Sequence, residues 1–358
     1  MMHFTKPVFL VDKFRAESNI DRMLAKAKRS SVVFRPHFKT HQSLEVGQLF
    51  SQKGITQITV SSVSMARFFA ADGWQDITIA FPLNILEMDE LNQLAKQVHL
   101  NVLVESTGVA HRLNVQAQAP MGVFIKIDTG YHRTGLLPKQ TDEIDAILKI
   151  LRTSGDLSFK GFLTHAGNTY HAKGKEEILE IKASAEAQLN SLKKKYIHEF
   201  PDLMLSYGDT PSCSLADDFP ELDEIRPGNF VYYDVMQYHL GSCSLSDIAV
   251  ALACPVVAVH PDRNELVVYG GGVHLSKEFI AADRGFQLFG YVVRLNDDGR
   301  WTDPIAGAYV SSLSQEHGIV RMPSEELKKW EPGDVLGILP VHSCMTADLM
   351  KGDTILLE

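Results

Sequence analysis

Lys39 sits in the string Arg35-Pro36-His37-Phe38-Lys39-Thr40-His41, with a guanidinium and two imidazoles around it. Nearby cations and partial burial both disfavour an ammonium, so a lysine in such a setting offers a nucleophilic amine near neutral pH. An isolated lysine at a strand end is ordinarily a solvated rim residue. A second cluster changes that reading. Gly208-Asp209-Thr210-Pro211-Ser212 supplies small residues, hydroxyls and free backbone amides ahead of a short helix, which suits a phosphate group. An aldehyde cofactor bearing a phosphate and tethered to the lysine unites the two clusters. A sugar-phosphate lyase working through a lysine Schiff base fits these residues as well, but it leaves a third feature without a role. His342 and Cys344 form an H-x-C pair near the C-terminus. In an extended strand, positions i and i+2 face one way and can reach one ion. Imidazole plus thiolate suits zinc, with positions left for water or substrate. H-x-C alone is weak, because a buried cysteine is usually core.

These residues need a frame, and the first two-thirds of the chain supplies one. Short runs rich in Val, Ile and Phe read as eight strands: Val32–Pro36, Ile55–Ser61, Asp76–Phe81, Asn101–Glu105, Gly122–Asp128, Gly161–Thr164, Leu203–Tyr207 and Glu224–Tyr232. Amphipathic stretches lie between them. Ile85–Val98 places Leu86, Leu91, Leu94, Ala95 and Val98 on one face, and Ile178–Ile197 ends in Lys193–Lys195, as a helix C-terminus prefers. Eight strands alternating with helices predict a (β/α)8 TIM barrel. The polar clusters fall at strand ends, where barrel enzymes gather catalytic groups. Strand five ends in Asp128-Thr129-Gly130-Tyr131-His132-Arg133, strand six in His165…Tyr170, and strand eight carries Arg226-Pro227-Gly228-Asn229. From about Ser246 the pattern turns to short alternating runs: Leu266–Tyr269, Gly290–Leu295, His317–Arg321 and Val335–Leu339. Asp297-Asp298-Gly299 and Pro332-Gly333-Asp334 punctuate them as hairpin signals. The expected organisation is a barrel over residues 13–245 and an all-β domain made of 1–12 and 246–358.

Composition narrows the function classes. The 358 residues are 45% hydrophobic and 22% charged with a formal net charge of −9. That balance gives no reason to expect a nucleic-acid or anionic-membrane partner, which would favour clustered Lys and Arg. The most apolar run, Ile248 to Val259, is interrupted by Pro255 and is shorter than the roughly 20 residues of a spanning helix. Met1 to Leu10 lacks the basic-then-apolar pattern of a secretory signal. The expectation is a cytoplasmic protein with reduced thiols at Cys213, Cys243 and Cys254.

The string Arg35-Pro36-His37-Phe38-Lys39-Thr40-His41 closely resembles the cofactor-lysine motif of the D-threonine aldolase and D-serine dehydratase family. The resemblance runs the length of the chain, through Thr5…Asp12, Asp128-Thr129-Gly130 with Arg133 and Gly135, His165…Tyr170, Thr210-Pro211-Ser212, Arg226-Pro227-Gly228, Glu316-His317-Gly318 and Pro340-Val341-His342-Ser343-Cys344. It implies an alanine-racemase-like homodimer of barrel plus β domain that uses pyridoxal 5'-phosphate. Lys39 would be the Schiff-base lysine. Arg133 would lie near the cofactor's phenolic oxygen and Tyr170 near its pyridine ring. Tyr207, Gly208, Asp209 and Thr210, with Gly228 and Asn229, would hold the phosphate region. Dehydratases of the family carry His-x-Cys and bind zinc, whereas the aldolases carry His-x-Asp and use another divalent metal, so His342 and Cys344 point to the dehydratase side. The chain departs from the family at Val341, at Asp348, and at Gly270-Gly271-Gly272-Val273-His274.

The function expected from all this is a metal-assisted, pyridoxal-phosphate-dependent lyase acting on a D-β-hydroxy amino acid, releasing ammonia and a 2-oxo acid. Three readings stay open beside it: retro-aldol cleavage as in D-threonine aldolase, amino-acid racemisation, and a non-catalytic pyridoxal-phosphate-binding protein.

Overall fold

The computed structural model describes residues 3–281 and 287–358. The chain divides into two compact units, one formed by Arg22–Lys39 and Val46–Gly228, the other by Met1–Asp21, Thr40–Glu45 and Asn229–Glu358.

Strand β1 (Val8–Asp12) belongs to the second unit. The first unit is built on β2 (Val33–Phe34), β3 (Gln57–Val60), β4 (Asp76–Pro82), β5 (His99–Val104), β6 (Met121–Lys126), β7 (Leu157–His165), β8 (Met204–Gly208) and β9 (Glu224–Ile225). They form one parallel sheet in the order β2-β9-β8-β7-β6-β5-β4-β3. A single parallel bridge from His37 to Thr59 spans the gap between its ends, so the sheet nearly closes into a barrel. All six residues of β6 are buried, as a strand covered on both faces requires. The intervening helices are amphipathic. Thr141–Arg152 buries Ile144, Ile147, Leu148 and Leu151, with Asp142 and Glu143 in its first turn and Lys149 and Arg152 in its last. Ser62 and Ser106 cap the helices Val63–Ala71 and Thr107–Gln116 by accepting from Met65 N and Val109 N.

Two sequence expectations fail locally. Strand eight, expected over Glu224–Tyr232, stops at Ile225, and a 3-10 turn follows at Asn229–Val231. Pro227 offers no backbone N–H to a ladder, which cuts the strand short. The helix expected at Ile85–Val98 begins as a 3-10 turn at Ile85–Glu87 and runs as α only over Met88–Ala95. Leu86 consequently lies 86% exposed, while Leu91 and Leu94 are buried.

The second unit is antiparallel. Its strands are β10 (Val250–His260), β11 (Glu265–Tyr269), β12 (Ile280–Ala281), β13 (Gln287–Leu288), β14 (Gly290–Arg294), β15 (Tyr309–Leu313), β16 (His317–Arg321), β17 (Val335–Pro340) and β18 (Thr354–Leu357). The order β11-β16-β15-β14-β17-β10, closed by a β10–β11 pairing, makes a β-barrel. β1 extends it, antiparallel to β10 and parallel to β18. The turns signalled at Gly299 and Gly333 have positive φ, 85° and 105°. Short helices at Gly272–Leu275, Ser324–Leu327 and Ser343–Leu349 interrupt the β pattern. Among the described residues, no helix is long and apolar enough to cross a membrane.

Gly161 shows how tightly the first barrel is drawn. Its φ is +137°, and a Cβ there would lie 2.0 Å from the Met204 carbonyl oxygen on β8. Gly161→Ala is expected to lower stability by roughly 2–4 kcal/mol, because rigid backbone has to move. A chemical denaturation midpoint equal to the parent's would contradict this.

Candidate active site

Lys39 ends the segment that β2 begins, and its own side chain is exposed. The residue before it supplies the anchor. Phe38 is fully buried, with its ring 4.9–5.0 Å from those of Phe50, Phe69 and Trp74. Such tilted and edge-to-face contacts fix both the ring and the backbone that follows. Arg35 pins the same segment from below. Its guanidinium donates to Glu224 Oε2 and Asp76 Oδ1, each at 2.6 Å.

Opposite strands bring further cations. Lys126 closes the apolar strand β6 and is buried; burial, then the charges of Arg226 and Arg133, lower its pKa to about 7. Nothing but an odd lysine at the end of Met121–Lys126 signals it in the sequence. Arg133 lies over the Tyr131 ring at 4.9 Å, and that ring meets His165 edge-on at 5.9 Å. Gly167 makes the approach possible, since a Cβ there would come within 2.4 Å of Tyr131. Asp128 winds the loop that carries Arg133. Its Oδ1 accepts from Gly130 N at 2.9 Å and His132 N at 3.0 Å. This explains the Asp128-Thr129-Gly130 motif as a turn-forming device.

His165 sits among these groups. Burial, then the charges of Lys39, Lys126 and Arg133, push its pKa well below the ordinary value, so it is neutral. Its Nδ1 lies 2.6 Å from the Gly208 carbonyl oxygen and therefore carries the proton, leaving a lone pair on Nε2. The hydroxyl of Tyr170, the residue expected beside the pyridine ring, accepts from Thr210 N at 3.3 Å.

The phosphate loop divides its labour. Asp209 caps the helix Thr210–Leu215, accepting from Ser212 N and Ser212 Oγ at 2.7 Å and from Thr169 Oγ1 at 3.1 Å. Tyr207 is buried and bonded to Ser212 Oγ at 2.8 Å. Those two side chains support the loop. Thr210 differs: its buried hydroxyl has no hydrogen-bond partner among the described residues. An orphaned hydroxyl at a capped helix start fits a phosphate-bearing cofactor. Gly228 precedes Asn229 in the chain, but the Asn229 carboxamide serves the second unit, where it bonds Asp234, Ser343 and Cys344.

His342 and Cys344 also differ from the extended-strand expectation. β17 ends at Pro340, His342 is the N-cap of the helix Ser343–Leu349, and Cys344 lies in its first turn. The two still come together, because the cap turns the chain back on itself. Burial alone would lower the His342 pKa, but hydrogen bonds with Cys344 and Glu278 raise it to about 11. A site that holds a proton so firmly has negative charge that a divalent cation can take over, releasing the proton. His342 Nδ1 bonds the Glu278 carboxylate, which leaves Nε2 for an ion. Glu278, 64 residues away in sequence, has no signal there. No cluster of three or more His, Cys, Asp or Glu suited to a metal occurs among the described residues. Two protein ligands leave coordination positions open, the catalytic pattern. Val341 is buried, and Asp348 pairs with Lys351 and Gln42.

Two expectations follow. Glu278→Gln should weaken divalent-metal binding about 10- to 100-fold in a chelator competition; unchanged affinity would contradict the orienting role. His41, buried with a pKa near 3, and His165 both stay neutral in the fold. Unfolded imidazoles protonate below about 6.5, so stability is full above that pH and is lost as pH falls, by up to roughly 1.4 kcal/mol per unit for each histidine. A thermal midpoint that holds steady from pH 7 to 5 would rule this out.

Comparison with known proteins identifies the family. Residues 11–235 match the alanine racemase N-terminal domain, and residues 249–355 match a serine dehydratase domain. The D-serine dehydratase of Dictyostelium discoideum is 29% identical, covering 96% of this chain and 91% of its own. The D-threo-3-hydroxyaspartate dehydratase of Delftia sp. HT23 is 27% identical in its solved structure, with a TM-score of 0.89 over 97% of this chain and 93% of its own. A cysteine-to-alanine variant of that enzyme has been solved in a metal-free form. An Arthrobacter D-threonine aldolase is 26% identical over 97% of this chain and 87% of its own. The chain belongs to the alanine racemase N-terminal domain family, joined to a D-serine-dehydratase-type second domain.

Proposed function

We propose that the chain is a pyridoxal-phosphate- and metal-dependent lyase that converts a D-β-hydroxy amino acid into ammonia and a 2-oxo acid. One observation carries the reading. Thr40, the residue directly after Lys39 in the chain, bonds the Cys344 sulfur at 3.2 Å. Cys344, where an aldolase-type site would have Asp, favours elimination over retro-aldol cleavage.

We assign residues 13–245 as the cofactor-binding barrel and residues 1–12 with 246–358 as the β domain carrying the metal pair. When bound, pyridoxal phosphate supplies an electron sink for the substrate's α-carbon. His342 and Cys344 would hold a divalent ion, assigned as zinc, whose Lewis acidity would make the β-hydroxyl a better leaving group. Lys39 Nζ is the group assigned to tether the cofactor and to take the α-proton. Thr210 and the amides of Gly208, Asp209 and Gly228 are assigned to the phosphate end, supported by Tyr207, and Tyr170 is assigned to the pyridine ring. Arg133 would hold the cofactor's phenolic oxygen, and Lys126 and the neutral His165 lie within reach of the Arg133 charge. In the overall reaction water is lost across the α- and β-carbons, the resulting enamine takes a proton at the β-carbon to become an imine, and water adds at the α-carbon as ammonia leaves, so nothing is oxidised or reduced on balance. We read the protein as a cytoplasmic homodimer, which would exclude water from the site mouth.

D-serine, D-threo-3-hydroxyaspartate and D-threonine, each with zinc, should reveal the chemistry through ammonia and 2-oxo acid. Chelation should abolish turnover and leave the thermal midpoint and visible absorbance nearly unchanged. Glycine as product would favour retro-aldol cleavage, and chelator-insensitive turnover would remove the metal's role.

A further inference from the structure

Asp234 is a buried carboxylate that the proposed chemistry does not use, 1% exposed. Its Oδ1 caps the helix Val235–His239 by accepting from Gln237 N at 2.9 Å. Its Oδ2 has three other donors: Asn229 Nδ2 at 2.6 Å, Ser343 N at 3.0 Å and Ser343 Oγ at 3.2 Å. Burying a carboxylate is costly unless its lone pairs are filled, and here they are. Two of the four bonds go to Ser343, in the turn between His342 and Cys344, and a third holds Asn229.

Asn229 completes the pattern. It is 5% exposed. Its amide nitrogen, held by Asp234, also lies 3.0 Å from Ser343 Oγ and 3.4 Å from Cys344 Sγ. The Ser343 hydroxyl gives its hydrogen to Asp234, so the second N–H of Asn229 is shared between Ser343 Oγ and Cys344 Sγ. Thr40 Oγ1 lies on the same sulfur at 3.2 Å. The Asn229 carbonyl oxygen, buried, has no hydrogen-bond partner among the described residues. An amide oriented by a buried carboxylate, donating to sulfur with one face and offering a vacant acceptor with the other, is more than packing requires.

We propose that Asn229, oriented by Asp234, is a positioning residue for the Cys344 thiolate: its amide N–H fixes the sulfur and tempers its electron donation to a bound divalent cation. This rests on the metal-site reading above. An N–H···S bond lowers the energy of the sulfur lone pair, so its loss makes the thiolate a stronger but less well-aimed donor. Outer-shell partners of this kind are typically worth ten- to a hundredfold in metal affinity.

Cobalt(II) reports the sulfur directly through its thiolate-to-metal charge-transfer band. The cobalt-loaded full chain should show that band, and Cys344→Ala should lack it. With the band present, Asn229→Ala is expected to move it to longer wavelength and to weaken cobalt binding about tenfold. Asn229→Ser, which can still donate to Asp234 but is too short to reach the sulfur, should do the same if the alanine variant folds poorly. Ser343→Ala, which gives the shared Asn229 N–H wholly to the sulfur, should not move the band to longer wavelength. A band and affinity unchanged in both Asn229 variants, with only the thermal midpoint lowered, would reduce Asn229 to a structural role and overturn the proposal. A parent protein with no thiolate band would instead overturn the metal-site reading on which it rests.

Discussion

A line of buried charge holds the first barrel in register. Arg35 Nε donates to Glu224 Oε2 at 2.6 Å; Ser206 Oγ donates to Glu224 Oε1 at 2.5 Å and accepts from Arg226 Nε at 2.6 Å; Arg226 reaches the Thr164 carbonyl at 2.5 Å. The line crosses β2, β9, β8 and β7, and Arg35 adds β4 through Asp76. β2 and β9 are two residues each, too short for their backbone bonds alone to fix a register. A buried pair adds little net stability over an apolar packing, but removing one partner strands a charge at a cost of about 3–5 kcal/mol. Here the charge defines a geometry: it sets the height at which Phe38, and so Lys39, leaves the barrel.

The rest of the site is assembled in the same way, with each chemical group placed by a neighbour that does no chemistry. Phe38 in its aromatic box places Lys39, Asp128 places Arg133, Gly167 lets Tyr131 reach Arg133 and His165, and Asp209 winds the helix start that presents Thr210. In the second unit Glu278 turns His342 and Asp234 secures the turn to Cys344. Functional groups held by a dedicated second layer lose little orientation freedom when substrate arrives, which is where positioning lowers a barrier.

The barrel was legible because its signals are local. Alternation of short β-branched runs with amphipathic stretches marks eight parallel strands, and positive-φ glycines such as Gly299 and Gly333 mark turns where the pattern expects them. The chemistry-bearing types were legible too, since Lys39, Thr210, His342 and Cys344 stand in short strings. Roles set by distant partners were not. Glu278 meets His342 across 64 residues, and Asn229 meets Cys344 across 115. Lys126 looks like a strand's last residue until the charges of Arg226 and Arg133 are seen beside it. Even H-x-C was read through the wrong local structure, a strand in place of a capped helix start.

The central claim is that Lys39 carries the cofactor. Borohydride reduction of the purified protein, followed by proteolysis and mass spectrometry, tests it most directly. The account predicts a pyridoxyl-phosphate adduct on the peptide containing Lys39, located at that residue. An adduct on Lys126 or any other lysine, with Lys39 unmodified, would contradict it.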